Sequence, residues 1–279
     1  MPKIHPTAIV ESGAELAEDV EIGPYSIIGP QVKIGKGTKI GAHVVFRHRV
    51  EVGEYNTFHD MSVIGDIAQD VNFHNWDEAK VVIGSHNIFR EHITIHQPSV
   101  PGNTTKIGSH CYFMATTHVA HDCQVGDHVI MVNQSGLAGH AIIHDHAFIS
   151  GNVMVHQYCR VGAYAILGGG TKVTRDVPPF CMVNGNPALA YGLNVVGLRR
   201  AKFTPEERSA IKQAFQILYL KDHSISKAIE ILEKEFLPTL SEGSPRSRVA
   251  YFIEFLKGTK RGIVFHHSRK GGGEEPDIE

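Results

Sequence analysis

The chain has 279 residues, 42% of them hydrophobic and 20% charged, which excludes disorder as the main state because there is enough apolar material to bury a sizeable core. With 27 basic against 29 acidic residues the formal net charge is −2. The chain is therefore neither a polycation shaped for nucleic acid nor an acidic solvating chain, and any basic binding surface must be local.

From Ile4 onward the chain is organised by a six-residue period. Stepping by six gives Val10, Leu16, Ile22, Ile28, Ile34, Ile40, Phe46, Val52, Phe58 and Ile64 without a miss. The period breaks over about residues 66–82 and resumes at Ile83, Phe89 and Ile95. It breaks again over about 97–106, then runs from Ile107 through Phe113, Val119, Val125, Met131, Leu137, Ile143, Ile149, Val155, Val161 and Leu167 to Val173. At this composition, such a series of apolar positions has a chance probability on the order of one in a billion. Gly often follows the aliphatic position (Gly23, Gly35, Gly53, Gly108), and four residues after it sits a small or β-branched residue (Val20, Val32, Val44, Cys123). A hexad with one large inward residue, a turn-permissive Gly and a second small inward residue suits a short strand plus a bend, and stacking such units lets each coil bury its neighbour's apolar face. The expected fold is a parallel β-helix. The two breaks hold polar, Gly, Pro or aromatic residues (Gln69, Asp70, Trp76; Pro98, Pro101, Gly102), and loops leaving a rigid scaffold are natural places for binding groups.

The period fails at Pro178-Pro179. After a linker, Thr204-Pro205-Glu206-Glu207 forms a capping box with Pro at the first helical position, followed by Ile211, Ala214, Phe215 and Leu218 at helical spacing. Two further helices are predicted over roughly residues 225–237 and 246–257. The domain division is 1–190 for the repeats, 191–262 for a small helical domain and 263–279 for a frayed, Gly- and Glu-rich tail.

The four cysteines, Cys111, Cys123, Cys159 and Cys181, form no CxxC pair and read as reduced thiols of a cytoplasmic protein. No stretch reaches the ~18–20 apolar residues of a membrane span, so stable membrane insertion is not expected. Histidine is the unusual entry in the composition, with 19 copies. In His118-Val119-Ala120-His121-Asp122-Cys123, Val119 takes the inward phase, so His121 lies outside the core near a bend, where an imidazole suits a general base at neutral pH. A solvated surface histidine is the plain alternative. Metal binding fits less well: the HxxH spacing is short, Cys123 is in the core phase, and a catalytic zinc needs three converging ligands. The six-residue period resembles that of the hexapeptide-repeat acyltransferase superfamily, whose three hexads per coil would stack His121 near Gly139 and His140, with His156 and Gln157 one coil beyond. Polar residues clustered on neighbouring coils could also pair across a homotrimer interface.

The segments "HVAHDCQVG" (118–126), "LAGH" (137–140), "VHQYC" (155–159), "DVPPF" (176–180), "GNPA" (185–188) and "GLNVVGLRR" (192–200) resemble the bacterial acyl-[acyl carrier protein]:UDP-N-acetylglucosamine O-acyltransferases of lipid A biosynthesis, within the hexapeptide-repeat acyltransferase superfamily. The similarity runs from "IHPTAIV" at residue 4 to the C-terminal helices. It implies a left-handed parallel β-helix with three hexads per coil, working as a homotrimer, and direct transfer of a 3-hydroxyacyl chain from acyl carrier protein to the sugar 3-position. His121 then matches the general base, Asp122 the group that orients or stabilises it, and the Gly139 N–H the oxyanion donor. Gln69, Asp70, Asn72, His96, His118, His140, His156, Gln157, Asn194 and Arg200 match substrate-binding positions. Gly168 and Gly169 match the acyl-chain ruler, where an absent side chain leaves room for a long chain. Arg199, Arg200 and Lys202 match a basic patch for an acidic carrier protein. No bound cofactor is implied, because the acyl group arrives on the carrier's phosphopantetheine, and no metal. One position departs: many members have Lys two residues after the loop Asp, and this chain has Asn72. That leaves open a 3-amino sugar as acceptor, with amide in place of ester. The later N-acyltransferase of the same pathway and a hexapeptide-repeat zinc carbonic anhydrase are the other readings.

Overall fold

The computed structural model describes residues 1–279 except 72, 74–78, 222 and 270–279. Each hexad forms a strand, most of them only two residues long, followed by a turn. Parallel pairing links strands one coil apart: Lys3 opposes Glu21, Glu21 opposes Lys39, His118 opposes Gly136 and Gly136 opposes Met154. The strands thereby sort into three parallel faces of a triangular prism. Face I runs from Lys3–Ile4 through Ile166–Leu167, face II from Ile9–Val10 to Lys172–Val173, and face III from Glu15–Leu16 to Arg160–Val161. This is the β-helix that the period predicts.

The periodic residues fill the axis of the prism. Ile28, Phe46, Ile64, Phe89, Val119, Leu137, Val155 and Val173 are fully buried, and so are the small partners Val20, Val32, Val44 and Cys123. Under face I, Phe58, Phe89 and Phe113 stack with ring centroids 4.6 and 5.0 Å apart.

The corners work differently from the expectation for glycine. Gly23 and Gly35 keep ordinary φ, and what requires glycine there is the coil above: a Cβ on Gly23 would sit 2.5 Å from the Gly41 carbonyl oxygen. The left-handed conformation falls two residues later, on Tyr25, His43, Tyr55, Asp122 and Tyr158 among others. Asn, Asp and His tolerate this region better than most residues. Seven of the histidines occupy it: His43, His86, His92, His110, His128, His140 and His146. Much of the histidine excess is thus corner chemistry, and four of these rings (His86, His110, His128, His146) stack along the III–I corner at 4.6–5.0 Å.

The two breaks in the period are loops between the strands Val63–Asp66 and Lys80–Ile83, and between Thr94–His96 and Thr104–Ile107. Both leave the prism at the II–III corner. At the C-terminal end, Cys181–Asn184 turns back antiparallel on Leu189–Leu193. The sheet of face I therefore continues through this hairpin to residue 193.

A short helix α1 (Val195–Arg200) follows, then α2 (Pro205–Tyr219), whose capping box is formed as predicted. α3 (Ile225–Ile231) widens into a π-turn at Leu232–Phe236 and a 3-10 turn at Leu237–Thr239, where the Pro238 ring ends regular helix. α4 spans Ser244–Lys257. These helices dock on the last coils through the buried Arg160–Asp176 pair at 2.8 Å, the Arg160 contact to the Phe255 carbonyl, and the Tyr251 hydroxyl bonded to the Ala163 N–H. Residues 263–269 are not a frayed tail. Ile263 and Val264 are buried, the Val264 N–H donates to the Asp176 carbonyl, and Phe265–His266 pairs with the strand Leu189–Leu193. Ile263 and Val264 pack on the last coil of the prism, while Phe265 stays exposed under the Arg175 guanidinium.

Candidate active site

The corner between faces II and III collects most of the predicted site. His121 lies there, half-buried, one position before the left-handed Asp122 (φ +60°). The Asp122 carboxylate is almost inaccessible and accepts from every side: His121 Nδ1 at 2.8 Å, Ser99 N–H at 2.9 Å and Ser99 Oγ at 3.0 Å reach Oδ2, and Asn103 Nδ2 at 2.9 Å reaches Oδ1. Burial raises its pKa, but these donors, His121 foremost, outweigh burial and hold the group well below the ordinary carboxylate range. Asp122 is therefore an anion at neutral pH, an acceptor only. It draws the Nδ1 proton of His121 toward itself, which leaves the Nε2 lone pair of the neutral ring for an incoming proton.

One coil above, Gly139 supplies the space that this imidazole occupies. A Cβ there would lie 2.3 Å from His121 Cε1 and 2.5 Å from its Nε2. Among the described residues the Gly139 N–H makes no hydrogen bond, so a donor lies close to the basic nitrogen. His140 crosses His121 edge to face at 5.2 Å, brings Nε2 to 3.6 Å from Asp122 Oδ2, and stacks flat on Tyr158 at 4.6 Å. His121, Asp122 and His140 hold ligand-type atoms within 4.8 Å of one another. The Asp122 oxygens that would complete a metal site are, however, already committed to four hydrogen bonds.

On face II, His118 Nδ1 meets Thr94 Oγ1 at 2.8 Å. Burial, then the neighbouring His96 and His121, lowers its pKa to about 4. His96 is buried, and its Nδ1 bonds the Ile67 carbonyl at 2.6 Å. That bond ties the first loop to the prism. Gln69 and Asp70 lie on that loop above the same corner, and Asn72 falls outside the described residues. His156 and Gln157 stand one coil past Gly139, with Gln157 exposed.

The remaining candidates lie elsewhere. Asn194 and the exposed Arg199, Arg200 and Lys202 are at the III–I corner. The Asn194 amide caps α1 by accepting from Gly197 N–H at 3.0 Å and donates to the Tyr164 carbonyl at 2.9 Å. Within one chain it is a helix cap. Gly168 and Gly169 lie at the I–II corner, where a Cβ on Gly169 would meet nothing closer than 3.6 Å. Ser99, Asn103 and Thr105, whose Oγ1 accepts from the Asp122 N–H at 2.9 Å, were not singled out in the sequence. Their one signal was position, in the second break of the period.

All four cysteines are buried, and burial pushes the Cys123 thiol up to about 12, so no thiolate nucleophile sits beside His121. The His118 shift has a consequence for stability. Its folded pKa lies below the unfolded value of about 6.5, so its contribution is fully present above pH 6.5 and is lost as pH falls toward 4. In chemical denaturation between pH 7 and pH 5, the native chain should lose stability more steeply than His118→Gln; parallel curves would contradict the assignment.

Residues 176–264 match the family described as Udp N-acetylglucosamine O-acyltransferase, domain 2, and residues 31–66 match the bacterial transferase hexapeptide repeat. The acyl-[acyl-carrier-protein]–UDP-N-acetylglucosamine O-acyltransferase of Syntrophobacter fumaroxidans is 44% identical over 264 residues, covering 94% of this chain and 99% of that protein. The enzyme of the same name from Thiobacillus denitrificans is 41% identical, covering 95% of this chain and all of that one. Among solved structures, LpxA from Acinetobacter baumannii superposes with a TM-score of 0.88 at 38% identity, covering 94% of this chain and 99% of its own. The coil is thus the left-handed one of the hexapeptide-repeat proteins. With its prism, its helical C-terminal part and its similarity over nearly the whole length, the chain belongs to the acyl-[acyl-carrier-protein]–UDP-N-acetylglucosamine O-acyltransferase family.

Proposed function

We propose that this acyltransferase moves a 3-hydroxyacyl chain from acyl carrier protein to the 3-position of UDP-N-acetylglucosamine, the first step of lipid A biosynthesis, in the cytoplasm and without a bound cofactor. The observation that carries the mechanism is the His121–Asp122 pair set against the open Gly139 N–H. His121 Nε2 takes the proton of the sugar hydroxyl as its oxygen bonds to the thioester carbonyl carbon. The Gly139 N–H faces the oxyanion that develops. Collapse breaks the C–S bond, and the departing pantetheine thiolate takes the proton back from His121. The imidazolium that exists between these steps lies 2.8 Å from the Asp122 carboxylate. No acyl-enzyme is required.

The exteriors of the three faces support a homotrimer. Face III is ionic, with Glu15–Lys33 at 3.1 Å and Glu51–Lys80 at 3.5 Å. Face I carries Lys3, Glu21, Lys39 and Thr57 on its first coils and then the outward ladder Ile88, Tyr112, Ile130, Phe148, Ile166 and Met182; face II carries Ile9, Ile27, Val45 and Val63 and then Thr94, His118, Gly136, Met154 and Lys172. Two faces that carry apolar stretches and share one corner suit burial in a closed three-fold ring, face I of one copy against face II of the next. Such a ring sets the III–I corner of one copy, with Arg200, beside the II–III corner of the next, with His121. A single prism cannot bring these together. Gly169 then lies in the same interface as the floor for the far end of the acyl chain.

His121→Ala should lower turnover by at least about 1,000-fold, within the range for loss of an acid–base group, while the chain keeps its assembly. Mass spectrometry of products from UDP-N-acetylglucosamine, its 3-amino analogue and a series of hydroxyacyl carrier proteins identifies acceptor and chain length. Amide formed in preference to ester would select the 3-amino sugar, and stoichiometric zinc in the purified protein would overturn the reading. Gly139→Ala should give a folded protein with turnover reduced about 100-fold or more, since the added Cβ displaces the tip of the His121 ring and leaves the backbone in place; near-normal turnover would remove Gly139 from the site. Replacing Ile130 and Phe148 together by Glu should shift sedimentation from trimer to monomer with loss of activity, and a retained trimer would contradict the face I–face II packing.

A further inference from the structure

On face III a cleft of about 830 Å³ opens directly beside His140 and Asp122. Its far wall is the turn after α4, where Lys260 and Arg261 enter the lining. Nothing in the mechanism uses these two residues. The turn is held rigidly, with the Asp176 N–H bonded to the Gly262 carbonyl and the Val264 N–H to the Asp176 carbonyl, and Arg261 Nε reaches the Thr174 carbonyl at 3.4 Å.

Among the described residues, no acidic side chain cancels the charge of Lys260 and Arg261 on this wall. Arg160 also borders the cleft, but it is spent on Asp176 at 2.8 Å, on the Phe255 carbonyl at 2.6 Å and on the Phe255 ring. Asp122 is saturated by His121, Ser99 and Asn103. Among the described residues, neither Lys260 nor Arg261 has a carboxylate within salt-bridge distance. Two cations facing a concave space lined also by Gln124, Asn103 and Tyr158 suit a small anionic group with several oxygens. The recess favours such a ligand over the convex surface of a folded protein.

We infer that Lys260 and Arg261 form a phosphate-binding subsite that continues the reacting centre across the His140–Tyr158 stack. This rests on the function proposed above, in which both substrates carry phosphate: a diphosphate on the acceptor and a phosphodiester on the pantetheine arm of the donor. The shared chemistry is a phosphate oxyanion held by a guanidinium and an ammonium. In the three-fold ring face III points outward, so the cleft stays open to solvent.

The test uses the full chain with Lys260→Ala, Arg261→Gln and the double substitution. Initial rates are measured against each substrate, and calorimetry is run with UDP and with free 4′-phosphopantetheine. The subsite predicts a KM for one substrate raised about ten-fold by Arg261→Gln and further by the double change, with kcat within about two-fold, and weakened binding of the matching probe. Weaker UDP binding assigns the subsite to the acceptor diphosphate; weaker phosphopantetheine binding assigns it to the donor. Arg261→Lys should recover part of the loss. Unchanged KM and unchanged binding of both probes would overturn the inference. So would a raised KM for the carrier protein with phosphopantetheine binding intact, which would place these cations on the carrier's own surface. The exposed Lys260→Ala serves alone if Arg261→Gln fails to fold. A wild-type chain that turns over neither substrate would instead strike the function, while the two binding measurements would still judge the subsite.

Discussion

Every feature of the site depends on one constraint, the backbone hydrogen bonding that holds each coil directly over the next. His140 N–H donates to the His121 carbonyl at 3.0 Å, and Tyr158 N–H to the Gly139 carbonyl at 3.1 Å. Because the stacking repeats without drift, residues at one position of the coil form columns. Asp122, His140 and Tyr158 make one such column, all left-handed, and His121, Gly139 and Gln157 make the column beside it. The reacting groups are neighbours because of this translation, although they are spread along the chain.

Within the columns, Asp122 is the residue on which the others depend. A buried carboxylate costs several kcal/mol unless its lone pairs are filled, and here a loop that interrupts the repeat fills them. Ser99 and Asn103 approach from that loop while His121 approaches from the prism. The same bonds that make the anion tolerable fix the imidazole's orientation, so stability of the corner and readiness of the base are a single arrangement. The glycine above it completes the geometry by absence of a side chain.

The architecture was largely legible in the sequence, because a β-helix writes its core as a linear period: each inward position returns every six residues whatever lies between. The helical part was legible through its capping box. The reason for the glycines was misread, since a close approach between coils looks the same in sequence as a turn. The order of residues 263–269 was also missed, because it comes from packing on the last coil of the prism. His96 and Asn194 illustrate a similar limit. Each stands at a position the resemblance assigns to substrate and also bonds within the chain, His96 to the Ile67 carbonyl and Asn194 to the Gly197 N–H and the Tyr164 carbonyl; the partners Ile67 and Tyr164 are too distant in sequence for a local pattern to reveal.

The sequence by itself determined the stacked β-helix, the place of His121 outside the core near a bend and the loops that leave the coils, because these follow from the period and its breaks; the three-sided coil entered through the resemblance. Tertiary structure alone decided three things: that Asp122 is a buried, fully bonded anion, that Gly139 makes room for the His121 ring, and that Lys260 and Arg261 face a cleft beside His140. These depend on contacts made one or more coils away, or across the join between prism and helices, and no local pattern encodes distances between segments that meet only when the chain has folded.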